Sequence, residues 1–171
     1  MGAQKAFAAA SALRATNPDV EVVPIAARVK AQELNELAAK CDVVLDCSDN
    51  FATRHAVNRA CVQHRKALVA GAAIRFDAQL MVFDLRKSDA PCYACLFPED
   101  AQVEEVQCSQ MGVFAPLTGM VGAIQAMEAI KLIVGAGESL SGRLLLIDAA
   151  AADWRTVKVA KDPSCGICRK K

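Results

Sequence analysis

Eight cysteines stand in this chain of 171 residues, and four of them are spaced for chemistry. Cys92-Tyr-Ala-Cys95 and Cys165-Gly-Ile-Cys168 are two CxxC pairs, the spacing at which one tight turn offers two thiolates to one ion. Two such turns supply the four sulfur ligands of a closed tetrahedral zinc site. A closed site leaves no position for water or substrate, and a redox CxxC needs no duplicate at the end of the chain. One structural zinc is therefore expected, pinning the C-terminal tail to the loop around Cys92. Cys41, Cys47 and Cys61 fall on or beside apolar segments and read as small buried hydrophobes. Cys108 falls in a polar loop, where a free thiol is accessible.

A second cluster is acidic. Asp46-Cys-Ser-Asp49-Asn50 follows a short apolar run and precedes a helical pattern. In parallel sheets, ligands gather at the carboxyl ends of strands. A carboxylate there can hold Mg²⁺ on a nucleotide, and an asparagine can bond phosphate or ribose. Ser, Asp and Asn are also the usual helix N-caps, and the two roles are compatible, one residue capping while its neighbour binds. Arg54, Arg75 and Arg155 are assigned to surface pairing.

The elements that must carry these residues alternate. Residues 3–16 have helical spacing and stop at Asn17-Pro18, where proline disfavours continuation. The β-branched stretch 20–26 (VEVVPIA) reads as a strand with Pro24 at an edge or end. A short helix at 32–40 precedes DVVLD at 42–46, the pattern of a strand buried on both faces. A helix over 52–65 and a short buried strand at 67–70 complete a strand–helix–strand unit with a parallel sheet. After Gly71 the texture changes: 79–85 reads as an antiparallel strand, 86–116 as irregular, and 117–134 as a long apolar helix whose glycines at 119 and 122 permit close packing. A closing hairpin is expected from 143–148 and 154–159. The fold class is α/β, with a partial parallel sheet, an antiparallel section and a four-cysteine zinc clip.

Composition narrows the function. Apolar residues make up 54% and charged residues 23% of the chain, as in a globular protein with a sizeable core. Twenty basic residues nearly balance nineteen acidic ones, which disfavours nucleic acid or an anionic membrane as partner. No stretch reaches the roughly 18 uninterrupted apolar residues of a membrane span. The alanine-rich start is interrupted by Arg14, so an amphipathic helix is expected there, not a signal peptide. A cytoplasmic location follows, and there cysteines serve metal or thiol chemistry more than disulfides.

Several stretches together resemble the ubiquitin-activating-enzyme superfamily, in particular its bacterial branch of MoeB-, ThiF- and HesA-type adenylyltransferases. They are GAQK at 2–5, ATNPDVEV at 15–22, DVVLDCSDNFATR at 42–54, AGAAIRFDAQLMVF at 70–83, CYAC at 92–95, CSQMGVFAPLTGMVGAIQAMEAIKLI at 108–133 and CGIC at 165–168. The resemblance runs in order along nearly the whole chain. It implies a single ThiF-type domain over 1–171, the C-terminal part of a Rossmann-like adenylation domain, with 1–71 the remainder of the nucleotide-binding part and 72–171 the carrier-binding and zinc part. It also implies an activity, the ATP-dependent adenylylation of the C-terminal glycine of a ubiquitin-like sulfur carrier ending in Gly-Gly, for molybdopterin or thiamin biosynthesis. By the same resemblance Asp49 helps hold Mg²⁺ and the phosphates, with Asn50 beside it, and Lys5 contacts ATP phosphate as a mobile point charge. Cys108 stands where some members carry a cysteine that joins the carrier as a thioester or acyl-persulfide. Homodimers are implied too.

The chain departs from the family pattern at one point. It holds no GxGGxG-type turn, no acidic ribose-binding residue after such a turn and no phosphate-binding arginine close to it, and Met1 falls just before the GxxK lysine. The resemblance thus implies a chain lacking the first nucleotide-binding half, impaired in ATP binding and with negligible pyrophosphate exchange on its own. An alternative stands beside it, a non-enzymatic, zinc-stapled module that docks a ubiquitin-like carrier or a partner subunit.

Overall fold

The computed structural model describes residues 2–101 and 111–169. It divides into two compact units, residues 1–33 and 34–171. The first holds helix α1 (Lys5–Thr16), which ends at Asn17, one residue before the proline that stops it. Arg14 Nη2 reaches forward to the Val22 carbonyl at 2.6 Å. Residues 20–26, expected as a strand, run without ladder partners among the described residues, and Val20, Val23 and Ile25 are exposed. β-branched residues favour extended backbone, but only an adjacent strand makes it a sheet. Helix α2 (Ala31–Lys40) begins at the end of this unit, where the Glu33 carboxylate accepts the Lys30 N–H at 2.9 Å.

The second unit is built on a five-stranded sheet in sequence order, β1 (Val43–Asp46), β2 (Ala67–Ile74), β3 (Asp77–Asp84), β4 (Arg143–Asp148) and β5 (Asp153–Lys158). β1 pairs parallel to β2, and the three remaining pairings are antiparallel. The crossover from β1 to β2 is helix α3 (Phe51–His64), as expected. The two strands meet with Leu45 opposite Val69 and Asp46 opposite Ala70.

Period-two alternation then sorts the side chains into layers. Leu68, Ala70, Met81 and Phe83 face a core shared with Val57 and Cys61 of α3 and with a one-turn helix α4 (Tyr93–Leu96). Leu80, Leu145 and Ile147 face Leu117 and Val121 of the long helix α5 (Ala115–Val134), and Val69 and Val82 meet its Leu132. α5 closes at Gly135, whose positive φ of 70° suits a left-handed C-cap. It is long and apolar enough to cross a membrane by length and composition; here it lies against the sheet, with Gln125 and Glu128 buried in its packed face.

Four expectations are corrected. β1 is not buried on both faces: it is the outer strand of the sheet and Leu45 is 43 % exposed. β2 does not stop before Gly71 but continues to Ile74, because β3 pairs with it along its full length. The stretch 86–116 is not wholly irregular, since it contains α4. The glycines at 119 and 122 do not mark close packing, for a Cβ added at either meets nothing within 4 Å. Close approach occurs at Gly71, where an added Cβ would stand 2.6 Å from Gln125.

Candidate functional site

The two CxxC pairs converge, as their spacing predicts. The first is set by α4: Cys92 is its N-cap, the Cys95 N–H bonds back to the Cys92 carbonyl at 3.0 Å, and the Cys92 N–H faces Cys95 Sγ at 3.4 Å. The second follows β5 in a turn organised by Asp162, which accepts the Ser164 N–H at 2.8 Å and the Cys165 N–H on its carbonyl at 3.2 Å. All four sulfurs lie within 4.8 Å of one another. Cys92 and Cys165 are 3.8 Å apart, Cys95 and Cys168 3.4 Å, and Cys92 and Cys95 4.0 Å. A tetrahedron of sulfurs at the usual zinc bond length has edges of about 3.8 Å. The donor set therefore fits a four-sulfur zinc site closed to further ligands.

The thiols of the clip are strongly perturbed by one another and by burial. Burial, then its sulfur neighbours, push the Cys92 thiol far above its ordinary value, and burial with the Cys95 thiol raises Cys168 to about 11. At Cys165 burial also pushes upward, but the Cys168 and Ile167 backbone N–H groups and the neighbouring thiols outweigh it and draw the thiol down. A divalent ion bound among the four sulfurs would favour the thiolates and oppose the upward push on Cys92 and Cys168.

A residue not singled out in the sequence supports this clip. Asn58 of α3 is fully buried; its Oδ1 accepts the Tyr93 N–H at 2.9 Å and its Nδ2 points at Cys92 Sγ at 3.7 Å. It thereby fixes the first CxxC turn from behind. The signal was present but faint, an asparagine on the same helical face as Cys61 and Arg54.

The acidic loop sits at the carboxyl end of β1. Asp46 is buried and its Oδ1 accepts the Ser48 N–H at 2.9 Å. Asn50 is the N-cap of α3, its Oδ1 accepting the Thr53 N–H at 2.8 Å. Its Nδ2 faces Asp49 Oδ1 at 3.4 Å. The two expected roles thus divide between neighbours: Asn50 spends its oxygen on the cap, while the Asp49 carboxylate stands exposed. An exposed carboxylate on a braced turn is a suitable oxygen ligand for Mg²⁺.

Arg54 departs from its expected surface pairing. It is 9 % exposed, makes no ion pair among the described residues, and donates from Nη2 to the Ser48 carbonyl at 2.7 Å. It braces the acidic loop instead. Arg75 is exposed and points at Met111 Sδ at 3.3 Å, and Arg155 lies exposed on β5; neither forms an ion pair among the described residues. Of the three cysteines read as buried hydrophobes, Cys61 is fully buried, with its thiol pushed up to about 12 by burial and then by Asp46, and Cys41 is half-buried. Cys47 is exposed, because the loop turns outward after Asp46, and its thiol faces Gln125 Oε1 at 3.5 Å. Lys5 begins α1 in the first unit and is exposed. Cys108 lies outside the described residues.

At the other end of the sheet, beyond Ala67 and its partner Asp84, a groove of about 590 Å³ is lined by Asp84, Arg86, Lys131 and Arg143 among others. Its charges are largely spent on one another: Arg86 forks onto Asp84 at 2.6 and 3.1 Å, and Lys131 pairs with buried Glu128.

Comparison with known proteins agrees with this geometry. The ThiF family matches residues 1–167. The molybdopterin-synthase adenylyltransferase of Escherichia coli strain K12 is 40% identical over 171 residues, covering 98% of this chain and 67% of that protein. The SAMP-activating enzyme E1 of Haloferax volcanii is 43% identical over 169 residues, covering 98% and 62%, and the bovine adenylyltransferase and sulfurtransferase MOCS3 is 42% identical, covering 98% and 37%. The chain thus spans between about one third and two thirds of these relatives' length. Among solved structures, E. coli MccB with ATP superimposes with a TM-score of 0.80 at 20% identity, over 98% of this chain and 51% of that one. That likeness concerns the fold.

Proposed function

The chain belongs to the ThiF family, and on that premise we propose that it serves in the adenylylation of the C-terminal glycine of a ubiquitin-like sulfur carrier. The observation that carries this reading is Asp49, an exposed carboxylate at the carboxyl end of β1, on a turn braced by Asn50 and Arg54. In the reaction a carrier carboxylate oxygen bonds to the α-phosphorus of ATP as the bond to pyrophosphate breaks, giving the acyl-adenylate. The attacking carboxylate is already an anion at neutral pH and needs no strong base. Catalysis then rests on holding the two reactants in line and on neutralising phosphate charge. Asp49 would hold Mg²⁺, which supplies that neutralisation, with Asn50 beside the nucleotide and Lys5 as the phosphate-binding cation.

The remaining parts follow the same reading. Residues 1–71 belong to the nucleotide-binding part and 72–171 to the carrier-binding and zinc part. Zinc is the ion of the cysteine clip. Cys108 is a candidate for a thioester or acyl-persulfide with the carrier, molybdopterin or thiamin biosynthesis is the destination, and the protein works in the cytoplasm as a homodimer. The sequence contains no glycine-rich phosphate turn, so impaired ATP binding and negligible pyrophosphate exchange are expected of this chain alone. Non-enzymatic docking of a carrier remains the competing reading.

Mass spectrometry separates the two. After incubation of a Gly-Gly-ended carrier with ATP, Mg²⁺ and this chain fused behind the glycine-rich N-terminal segment of a ThiF-family relative, part of the carrier should gain one AMP, and Asp49→Ala should remove that product. A carrier that binds the fused protein but never gains AMP supports the docking module and ends the enzymatic reading.

A further inference from the structure

Gln125 is the side chain that neither the motif analysis nor the proposed chemistry uses, and it is tied into both sides of the β1–β2 junction. It projects from α5 into the packed face against the sheet and is 2 % exposed. Its Nε2 donates to the Asp46 carbonyl at 3.0 Å and to the Val69 carbonyl at 3.2 Å. Its Oε1 faces the Cys47 thiol at 3.5 Å. One amide therefore bonds the last residue of β1, the next strand and the first residue of the acidic loop.

Room for this amide comes from Gly71. A Cβ at that position would lie 2.6 Å from Gln125 Cδ and Oε1 and 2.9 Å from Val121 Cγ1, closer than real side chains approach. Gly71 and Gln125 are thus a matched pair, the missing side chain on β2 making space for the long polar one on α5. An apolar residue would fill the same volume, but only a side chain with two N–H donors satisfies both carbonyls.

We infer that Gln125 is a positioning residue for the Asp46–Asn50 loop. It fixes the root of the loop to α5, Arg54 holds the Ser48 carbonyl at its middle, and the Asn50 cap fixes its far end to α3. Asp49 is then presented from a backbone tied at three points. The inference rests on the proposed function only for what Asp49 does once it is held.

The test uses the full chain and hydrogen–deuterium exchange of the peptide spanning 46–50. Gln125→Glu keeps the shape and the acceptor but, when ionised, removes both donors. It should raise exchange at Cys47, Ser48 and Asp49 by about tenfold, while far-UV circular dichroism and bound metal stay unchanged. Gly71→Ala should produce the same local rise by displacing the amide. In the double variant Gly71→Ala/Gln125→Ala the clash with the amide is gone and the 2.9 Å approach to Val121 Cγ1 is left, so its rise should be smaller than the sum of the two single rises. Unchanged exchange at 46–50 in Gln125→Glu overturns the inference. So does a rise spread evenly over the whole sheet, which would make Gln125 a core residue with no special hold on the loop. The carrier adenylylation assay on the fused protein keeps the two claims apart. If the loop loosens as stated while that protein never transfers AMP to the carrier, positioning stands and the proposed function falls.

Discussion

The cysteine clip and the acidic loop lie at opposite ends of one short chain of contacts through α3, yet they are built on opposite plans. In the clip every donor faces inward: four sulfurs lie within 4.8 Å of one another, and Cys92 and Cys165 are buried. In the loop most polar groups are spent on bracing, Asp46 on Ser48, Asn50 on Thr53 and Arg54 on the Ser48 carbonyl, which leaves the Asp49 carboxylate facing outward. A site whose ligands all face one another can hold an ion but not turn over a substrate. A site that braces its backbone and leaves one ligand open can. α3 supports both, through its cap at Asn50 and through Asn58 behind Cys92.

Four substitutions would break or sharpen this contrast. Cys165→Ser should have the largest effect, lowering bound metal to below about a tenth of an equivalent by elemental analysis, because a structural zinc site depends on all four thiolates. Asn58→Ala leaves the ligands in place but removes the group that orients Cys92. Competition with a chromophoric chelator should show metal affinity reduced by about 10- to 100-fold. Asn50→Ala removes a cap, so urea denaturation should show a loss of about 1 kcal/mol with bound metal unchanged.

The smallest effect is expected from Asp84→Asn, in the groove at the other end of the sheet. Burial pushes the Asp84 carboxyl upward, yet the Arg86 and Lys87 charges beside it outweigh burial and hold it below its ordinary value. A depressed carboxyl contributes stability that is full above its unfolded value, about 3.9, and is lost as pH falls through the lower folded value. The substituted chain should therefore lose a modest amount of stability near neutral pH and show a flatter acid limb in thermal melts. Because Arg86 is half-exposed, solvent screening keeps this effect small.

How much of this was legible in the sequence depended on how local the cause was. The CxxC spacing is set within one turn, so all four ligands could be named from the chain alone, and the Asn50 cap, the α3 crossover, the antiparallel β3 and the closing hairpin were equally readable. Residues 20–26 misled because strand propensity says nothing about whether a neighbour is present. The glycines at 119 and 122 misled because close packing is a property of two surfaces, and the tight contact lies at Gly71, where α5 presents Gln125. Arg54, Asn58 and Gln125 are ordinary polar residues in their own helices. They acquire roles only when the fold brings Ser48, Cys92 and Asp46 against them.

The contrast between a closed cysteine clip and an open acidic loop is tested most directly by metal content under reducing conditions, for the unsubstituted chain and for Asp49→Ala side by side. The account predicts one equivalent of zinc per chain in both, since the clip owes nothing to the acidic loop. Reduced protein without metal, or an Asp49→Ala chain that loses it, would contradict the separation on which the whole reading rests.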